Sequence, residues 1–395
     1  VCMWYKTEKI PAGDINFFLD MIPYISRHIE EIRRGEDGVE ILCSEAHQEE
    51  VLASLTRLEN MIGEGKFAKK DVKPTILEDF TDVPMQNTEN IFEELLARGI
   101  IRKITEGVYA YSDIFLKVFR YFDRKIEENG FKQFPGIREY EFPVLYPLES
   151  YQTGGYFESF PHHIMFQSLM KNDIEVIDRF AQKGVEKETL GNDMQTPVNV
   201  LRHAACVPVY EFLKNQIISP DTPEIYLVSG KCFRNEAGNV KELARLNEFF
   251  MKEYVFVGTA EQCEESVKKA KRLWLEWIRV FGLNCRISTA TDSFFASNYK
   301  KLKLFQILGN SKQEFQVCLP GSDMFSACGS VNFHRTHFTK PYNIRSSEDS
   351  YCYSACCAFG IDRLSYALLS QKGLDPDRWD QETYDEIFGI TREKR

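Results

Sequence analysis

Arginine and carboxylate side chains stand at the ends of apolar segments in a pattern that suits phosphate chemistry. Arg234 and Glu236 follow the segment "KCF", and Phe249 and Glu253 lie in the apolar segment "NEFFMKEYVFVG", which returns after a polar loop. A carboxylate that attacks the α-phosphate of ATP needs a cation on that phosphate, and the planar guanidinium of arginine offers two aligned donors. Adenine needs a flat apolar partner and an edge contact. The hairpin offers Arg234 for the phosphate, Phe249 for the adenine face and Glu236 for the adenine edge. An ordinary hairpin with a surface ion pair would contain the same residues.

The composition is that of a globular protein with an acidic balance. Hydrophobic residues make up 43% and charged residues 27% of the 395 residues, and the formal net charge is −10. This balance disfavours extended wrapping of nucleic acid, which needs a surface that neutralises phosphates. No apolar run approaches the roughly 20 residues that cross a bilayer, and the N-terminus shows no export signal. We expect no membrane association, a cytoplasmic location, and reduced thiols for the 11 cysteines, some of which could bind metal.

Three regions are expected along the chain. Residues 1–70 have the periodicity of a small α/β domain, in the order strand, helix, strand, helix. Residues 71–133 begin in a polar linker and indicate a connecting region of helix, hairpin and helix. Residues 134–395 alternate short aromatic-rich strands with turns and a few longer helices. This last pattern predicts an α+β domain with a mostly antiparallel sheet.

Three ordered segments give the third region a family resemblance. The first, "REYEFPVLYPLESYQTGGYFESFPHH" (138–163), indicates a strand followed by a proline turn and a Gly-Tyr segment. The hairpin "FRNE…RLNEFFMKE" is followed about a hundred residues later by "CCAFGIDRLSYALL", which indicates a strand, a glycine turn and a helix that begins near Arg363. In this order the last two segments resemble the second and third motifs of class II aminoacyl-tRNA synthetases, and the resemblance covers about residues 130 to 375. It implies the class II catalytic fold, in which helices flank an antiparallel sheet.

The resemblance implies an ATP site. Arg234 would bind the α-phosphate and the substrate carboxylate, and Glu236 would bind the adenine amino group. Phe249 would stack on one face of adenine, while Arg363 would hold the other face and the γ-phosphate.

The same resemblance implies a magnesium site in the segment "DMFSACGSVNFH". Asp323 and Ser326 stand where related seryl enzymes place Mg²⁺ ligands, and the sequence departs from the family there because glutamate is usual at the first position. Asp362 also stands where glutamate is usual before the motif arginine.

Two cysteines and one carboxylate resemble a zinc site. Cys206, in "LRHAACVPVYEF", is expected to follow a helix, where threonyl enzymes of this class carry a zinc cysteine. With Glu253 and Cys356 it gives the Cys…Glu…Cys order of the atypical zinc-dependent seryl-tRNA synthetases and of the related amino acid:carrier-protein ligases. Three protein ligands and an open position are typical of a catalytic zinc site. Cys357 competes with Cys356, because a shift of one residue on a strand changes the face.

The resemblance to the carrier-protein ligases extends over most of residues 90 to 375, and includes "GYFESFPHH" and "SVNFHRTHF". It implies ATP-dependent activation of a small amino acid as its adenylate and transfer to the phosphopantetheine thiol of a carrier protein. It also implies a homodimer with residues 134–147 near the interface.

Two alternative functions stay open. The first is a zinc-dependent, seryl-type synthetase acting on tRNA, although residues 1–70 are short for a tRNA-binding domain and not notably basic. The second is a regulatory or binding paralogue without catalysis, although the motif arginines and the metal ligands are present. A biotin- or lipoate-type ligase has no support, since its glycine-rich loop and catalytic lysine are missing.

Four histidines have no assigned role from the sequence. His334 and His337 would line the amino-acid or pantetheine pocket, or they would be ordinary core or surface residues. His162 and His163 leave the same two alternatives open.

Overall fold

The structure is a computed structural model, and it describes residues 1–63, 74–290, 311–322 and 324–389. Residues 1–63 form a small α/β unit with its own core. Its elements are β1 (Cys2–Lys6), α1 (Ile15–Ile25), β2 (Ile29–Arg34), β3 (Gly38–Cys43) and α2 (Gln48–Gly63). The strands are antiparallel in the order β1-β3-β2. Apolar residues at helical spacing, such as Phe18 and Ile22 on α1, are fully buried in this core.

The sequence did not predict the strand β2 of this unit. Its residues, "IEEIRR", show no strict alternation of apolar and polar types, and none of them is buried. The strand is held by its ladder with β3, which is irregular near its start, and its two isoleucines, Ile29 and Ile32, are only partly buried where they pack against the core.

The connecting region has the predicted order of helix, hairpin and helix, and a strand precedes it. The elements are β4 (Ile76–Phe80), α3 (Phe92–Ala97), β5 (Ile101–Thr105), β6 (Val108–Tyr111) and α4 (Asp113–Gln133). The strand β4 pairs with the edge of the large sheet described next, and α4 buries Phe115, Val118 and Phe122 in the same core as that sheet.

The remaining residues form an eight-stranded sheet with helices and smaller sheets around it. Besides β4, its strands are β7 (Arg138–Glu141), β11 (Glu224–Phe233), β12 (Glu248–Gly258), β13 (Cys285–Thr289), β14 (Lys312–Leu319), β15 (Met324–Arg335) and β18 (Tyr353–Gly360). The sheet order is β4-β13-β14-β15-β18-β12-β11-β7. All neighbours are antiparallel except β7 and β11. The predicted antiparallel α+β fold is confirmed.

Helices and short strands surround this sheet. The longer helices are α10 (Ala260–Phe281), α11 (Ile361–Lys372) and α12 (Gln381–Phe388). The smaller elements are β8 (Leu145–Pro147), α5 (Leu148–Thr153), α6 (Tyr156–Ser159), β9 (Met165–Gln167), α7 (Ile174–Lys183), α8 (Leu190–Asp193), β10 (Asn199–Leu201), α9 (Val207–Phe212), β16 (Arg345–Ser347) and β17 (Ser350–Tyr351). Among the described residues, no helix combines the length and the apolar character needed to cross a membrane.

Alternation along the central strands separates two cores. One face of β12 and β18 carries Tyr254, Phe256 and Cys357, which pack with the tryptophans of α10. The other face carries Val255 and Cys356, which pack with residues around α9. Since successive side chains of a strand point to opposite faces, adjacent residues of β18 enter different environments.

Candidate functional site

A cleft of about 1660 Å³ opens on the sheet face opposite α10. Its walls come from the loop between β11 and β12, from β14, β15 and β18, and from the start of α11. The lining includes eight of the residues selected from the sequence, namely Cys206, Arg234, Glu236, Phe249, Glu253, Ser326, Cys356 and Arg363. His163, His334 and His337 also line the cleft. The ninth selected residue, Asp323, lies outside the described residues.

Cys206, Glu253 and Cys356 converge at the buried end of this cleft. Their potential ligand atoms all lie within 4.8 Å of one another, and the three residues are 7%, 1% and 2% exposed. Glu253 is central in β12, and its neighbours in the sheet are Val228 and Ala358. The backbone N–H of Cys206 donates to Glu253 Oε1 at 3.0 Å, which fixes the carboxylate.

The chemistry of these three groups fits a divalent metal ion. The pKa of Cys206 is raised by its hydrogen bond with Cys356, by burial and by the charge of Glu253, and burial raises the pKa of Glu253. Three acidic groups held together away from water keep their protons unless a cation replaces them. Two thiolates and a carboxylate are ligands that zinc accepts, and three protein ligands leave a fourth position open. Cys206, Glu253 and Cys356 would therefore hold zinc.

Polar neighbours orient the sulfur of Cys356. Asn332 Nδ2 and His334 Nε2 each lie 3.7 Å from Cys356 Sγ. The other ring nitrogen of His334 lies 3.2 Å from the Tyr210 hydroxyl and 3.4 Å from Ser354 Oγ, so the ring is held from both sides. The sequence had singled out His334 but had not assigned it a definite role. It gave no indication of a role for Asn332, which lies in the same strand.

The structure places the two competing cysteines on opposite faces of the sheet. Cys356 faces the cleft, whereas Cys357 lies in the core with α10 and has no exposure. One local expectation was wrong: Cys206 does not follow a helix. It comes after β10 and a turn, and it is the N-cap residue of α9.

Two arginines face the same part of the cleft. Arg234 follows β11 directly, its Nε donates to the His203 carbonyl at 3.2 Å, and its guanidinium lies 5.1 Å from the centre of the Phe249 ring. Arg363 lies in the first turn of α11 and donates to the Ala327 carbonyl at 3.0 Å. Burial, and then the positive charge of Arg234, lower the pKa of Arg363. Two guanidinium groups close enough to repel each other form a site for a polyanion.

Glu236 is held at both its backbone and its side chain. Its backbone N–H donates to Asn247 Oδ1 at 2.9 Å, and its Oε2 accepts from Arg245 Nε at 2.7 Å. The side chain is 4% exposed. The sequence had assigned no role to Arg245 or Asn247, although both lie in the motif hairpin. The feature of the sequence that could have indicated a role was the charge of Arg245 inside that loop.

The turn between β5 and β6 supports this loop. Asn247 Nδ2 donates to the Glu106 carbonyl at 2.9 Å, and Asn247 N donates to the Gly107 carbonyl at 2.9 Å. Gly107 has a φ of 67°, and a Cβ there would lie 2.7 Å from Asn247 N. Glycine is required at this position by both conformation and space.

Ser326 is a buried hydroxyl directed at the cleft. It is 5% exposed, and its Oγ has no nitrogen or oxygen partner within the described part of the chain. A buried hydroxyl whose protein partner is the weakly bonding Cys328 thiol keeps hydrogen-bonding capacity for a ligand, so this atom fits a role in binding Mg²⁺ or a phosphate.

Asp362, next to the motif arginine, anchors the fold. It is 1% exposed, and its carboxylate accepts from the Tyr111 hydroxyl and from the backbone N–H of Phe250, both at 2.6 Å. It therefore ties the β5–β6 hairpin, β12 and α11 together.

A second group of possible metal ligands lies on the surface of the N-terminal unit. The rings of His28 and His47 stack at 3.5 Å, and Glu50 Oε2 lies 3.7 and 3.6 Å from one nitrogen of each. Arg27 Nε also lies 3.3 Å from His28 Nε2, so a guanidinium competes there with any cation. Only the buried cysteine-containing group combines a donor set with shelter from water among the described residues.

Residues 192–372 match the family described as "tRNA synthetase class II core domain (G, H, P, S and T)". This part of the chain is therefore similar to a class II tRNA synthetase core domain. A type-2 serine–tRNA ligase of Methanopyrus kandleri is 26% identical over 329 residues, which are 76% of this chain and 61% of that protein. Amino acid–[acyl-carrier-protein] ligase 1 of Bradyrhizobium diazoefficiens is 27% identical over 290 residues, which are 72% of this chain and 86% of that protein. The chain thus spans about three fifths of the serine–tRNA ligase.

Solved structures show the same class II fold. The M. kandleri seryl-tRNA synthetase in complex with A. aeolicus tRNASec has a TM-score of 0.71 at 21% identity, with coverage of 94% of this chain and 76% of that chain. The cytoplasmic serine–tRNA ligase of Naegleria fowleri in complex with AMP has a TM-score of 0.61 at 12% identity, and the match covers 88% of this chain and 72% of that chain.

Proposed function

We propose that the protein activates a small amino acid with ATP as the aminoacyl adenylate and transfers the aminoacyl group to the phosphopantetheine thiol of a carrier protein. The observation that carries this proposal is the opening of the Cys206–Glu253–Cys356 group into the same cleft as Arg234 and Arg363. One end of the cleft suits an amine-binding metal, and the other suits a triphosphate.

The first step is displacement at the α-phosphorus. The amino-acid carboxylate forms a bond to phosphorus, and pyrophosphate leaves with the electrons of the broken P–O bond. Arg234 would neutralise the α-phosphate and align the carboxylate, and Arg363 would hold the γ-phosphate, so both stabilise charge that develops in the transition state. Glu236 and Phe249 would position the adenine, with Asp323 and Ser326 as candidate ligands of Mg²⁺.

Zinc held by Cys206, Glu253 and Cys356 would supply a Lewis-acid position for a neutral α-amino group. Aromatic side chains of the protein limit the space beside that amine. Tyr156 and Phe338 line the cleft and belong to the same buried cluster as the two cysteines, and aromatic walls in this part of the cleft favour a small side chain such as that of glycine, alanine or serine.

The second step is attack by the carrier thiol on the adenylate carbonyl, which forms the thioester and releases AMP. A thiol is partly ionised near neutral pH and is a strong nucleophile, so the chain does not need to supply a dedicated base.

Amino-acid-dependent exchange between ATP and pyrophosphate tests the first step. We expect exchange with one or a few small amino acids, with Arg234→Ala abolishing it while the protein remains folded. A folded wild-type protein with no exchange for any amino acid would favour the paralogue without catalysis.

The charge of the N-terminal unit favours a protein acceptor over tRNA. Residues 1–63 contain six Lys or Arg and twelve Asp or Glu. A surface with this balance repels a phosphate backbone, because tRNA binding depends on phosphate neutralisation. The transfer to tRNA is the second candidate, because the similarity to the tRNA-bound M. kandleri structure covers 94% of the chain and so reaches into this unit.

A labelled amino acid distinguishes the two acceptors. Protein, ATP, Mg²⁺ and the activated amino acid are incubated with holo carrier protein or with total tRNA. We expect label on the carrier protein that a thiol reagent removes, and none on apo carrier protein without the pantetheine arm. Label on tRNA alone would replace the carrier-protein proposal with the synthetase.

A homodimer is also proposed, with residues 134–147 near the interface. The strand β7 (Arg138–Glu141) is an edge of the large sheet, and the adjoining small sheet exposes Leu145 by 43% and Phe166 by 52%. Exposed apolar side chains beside an open edge favour association with a second copy. Sedimentation equilibrium should give twice the chain mass, and a change of Leu145 to Glu should give the monomer.

A further inference from the structure

We propose that the N-terminal unit orients the adenine-recognition carboxylate, with Asp20 and Arg245 as positioning residues for ATP. This inference rests on the proposed function, because it takes Glu236 as the partner of the adenine amino group. It assigns a role to residues 1–63, which no motif of the sequence explains.

The helix α1 lies directly against the loop between β11 and β12. The Tyr24 hydroxyl donates to the Asn235 carbonyl at 2.9 Å, and Asn239 Nδ2 donates to the backbone carbonyl of Asp20 at 2.8 Å. Tyr24 also packs edge-on against the His162 ring at 4.9 Å. The N-terminal unit is therefore docked on the loop that carries Glu236, over 200 residues away in sequence.

A single guanidinium links the two units. Arg245 Nε donates to Glu236 Oε2 at 2.7 Å, and Arg245 Nη1 lies 3.4 Å from Asp20 Oδ2. The side chains of Asp20, Arg245 and Glu236 are 40%, 25% and 4% exposed, so the series runs from the surface into the cleft. A planar guanidinium bound at two edges has one orientation, and it transmits that orientation to the carboxylate of Glu236.

The backbone of Glu236 has a separate support. Asn247 accepts its N–H and is itself anchored on the β5–β6 turn. Loss of Asp20 should therefore leave the loop in place and loosen only the direction of the Glu236 carboxylate. The expected defect is weaker recognition of the adenine amino group, not slower chemistry.

The test compares ATP with the triphosphate of purine riboside, which lacks the 6-amino group. Dissociation constants for both are measured by direct binding, and kcat and KM by pyrophosphate exchange. Asp20→Asn keeps the size of the side chain and the backbone carbonyl that accepts from Asn239. The matched control is Asp37→Asn, the same substitution at an exposed turn of the same unit.

We expect the wild-type protein to prefer ATP and Asp20→Asn to reduce that preference about threefold, as for a partly exposed ion pair. The change should come from weaker ATP binding, with kcat within about twofold and the Asp37→Asn values unchanged. Arg245→Lys keeps the charge and loses the fork, so it should reduce the preference too, and Asp20→Asn should add little to it.

The outcomes separate the two proposals. Normal exchange with an unchanged ATP preference in Asp20→Asn overturns this inference and leaves the proposed function standing. Absence of exchange in the wild-type protein overturns the proposed function, while the binding preference still decides the inference. Equal binding of ATP and the purine analogue by the wild-type protein overturns the inference directly.

Discussion

Exchanging sulfur for oxygen at two adjacent residues separates metal binding from packing. Cys356 and Cys357 are neighbours on β18, but the first faces Cys206 and Glu253 and the second faces the core with α10. We expect Cys356→Ser to lose zinc and amino-acid-dependent exchange. We expect Cys357→Ser to keep both.

The size of each effect depends on the environment of the sulfur. Structural zinc sites with four ligands contribute about 10–16 kcal/mol, so one ligand accounts for roughly 3–4 kcal/mol, or about a 100- to 1000-fold loss of zinc affinity at Cys356→Ser. Cys357 has no exposure, and burial raises the pKa of its thiol. A serine hydroxyl without a partner in that core costs about 1–3 kcal/mol of folding stability, with no change in zinc.

The assay is zinc content per chain after dialysis against a buffered zinc solution, with exchange activity and thermal unfolding on the same samples. A zinc content near one ion per chain in Cys356→Ser would refute the assignment of the metal to the cleft face. Loss of zinc from a folded Cys357→Ser protein would refute it too. Restoration of zinc binding by Cys356→Asp, a change that keeps an anionic ligand, would support it.

Three further predictions concern the buried Ser326 hydroxyl, the turn that supports the ATP loop, and pH. Ser326→Ala should raise KM for ATP about tenfold and increase the free energy of unfolding by roughly 1 kcal/mol, because the buried Oγ has no nitrogen or oxygen partner among the described residues; a lower melting temperature would contradict this. Gly107→Ala should destabilise the protein by about 1–3 kcal/mol and raise KM for ATP, since a Cβ would lie 2.7 Å from Asn247 N, and an unchanged melting temperature would show that the turn adapts. Burial, followed by the charge of His163, lowers the pKa of His162 in the folded protein to about 3. As pH falls below about 6.5, the unfolded chain therefore binds a proton at this residue before the folded protein does, and the free energy of unfolding falls by up to about 1.4 kcal/mol per pH unit. His162→Gln should flatten the fall in melting temperature between pH 6.5 and 5.

The motif hairpin shows how much of the site was predictable. Apolar runs and turn residues indicated the strands that are β11 and β12, and the polar loop between them placed Arg234 and Glu236 at its start. These features are local, because the pattern of a strand depends on residues close in sequence. The class II fold was inferred from the order of three such local segments, and the family match and the solved structures confirm it.

The partners of Glu236 were not predictable. Arg245 lies nine residues away, but Asp20 and the β5–β6 turn reach the same loop from distant parts of the chain. Ion pairs and caps between distant segments leave no periodic signal, since they depend on where the packed units meet. The strand β2 was missed for a related reason, because it depends on pairing with β3 and its two half-buried isoleucines do not alternate strictly with polar residues.

The sequence by itself determined the types of the reacting groups: two cysteines and a glutamate that suit zinc, and arginines that suit phosphate. It could not decide between Cys356 and Cys357, because the side-chain period of a strand is two and a shift of one residue changes the face. The tertiary structure decided that choice through the register of β18 between β12 and β15, which turns Cys356 toward Glu253 and Cys357 toward the helices. Docking of α1 on the loop decided the partners of Glu236, because only packing brings a carboxylate at residue 20 to an arginine at residue 245.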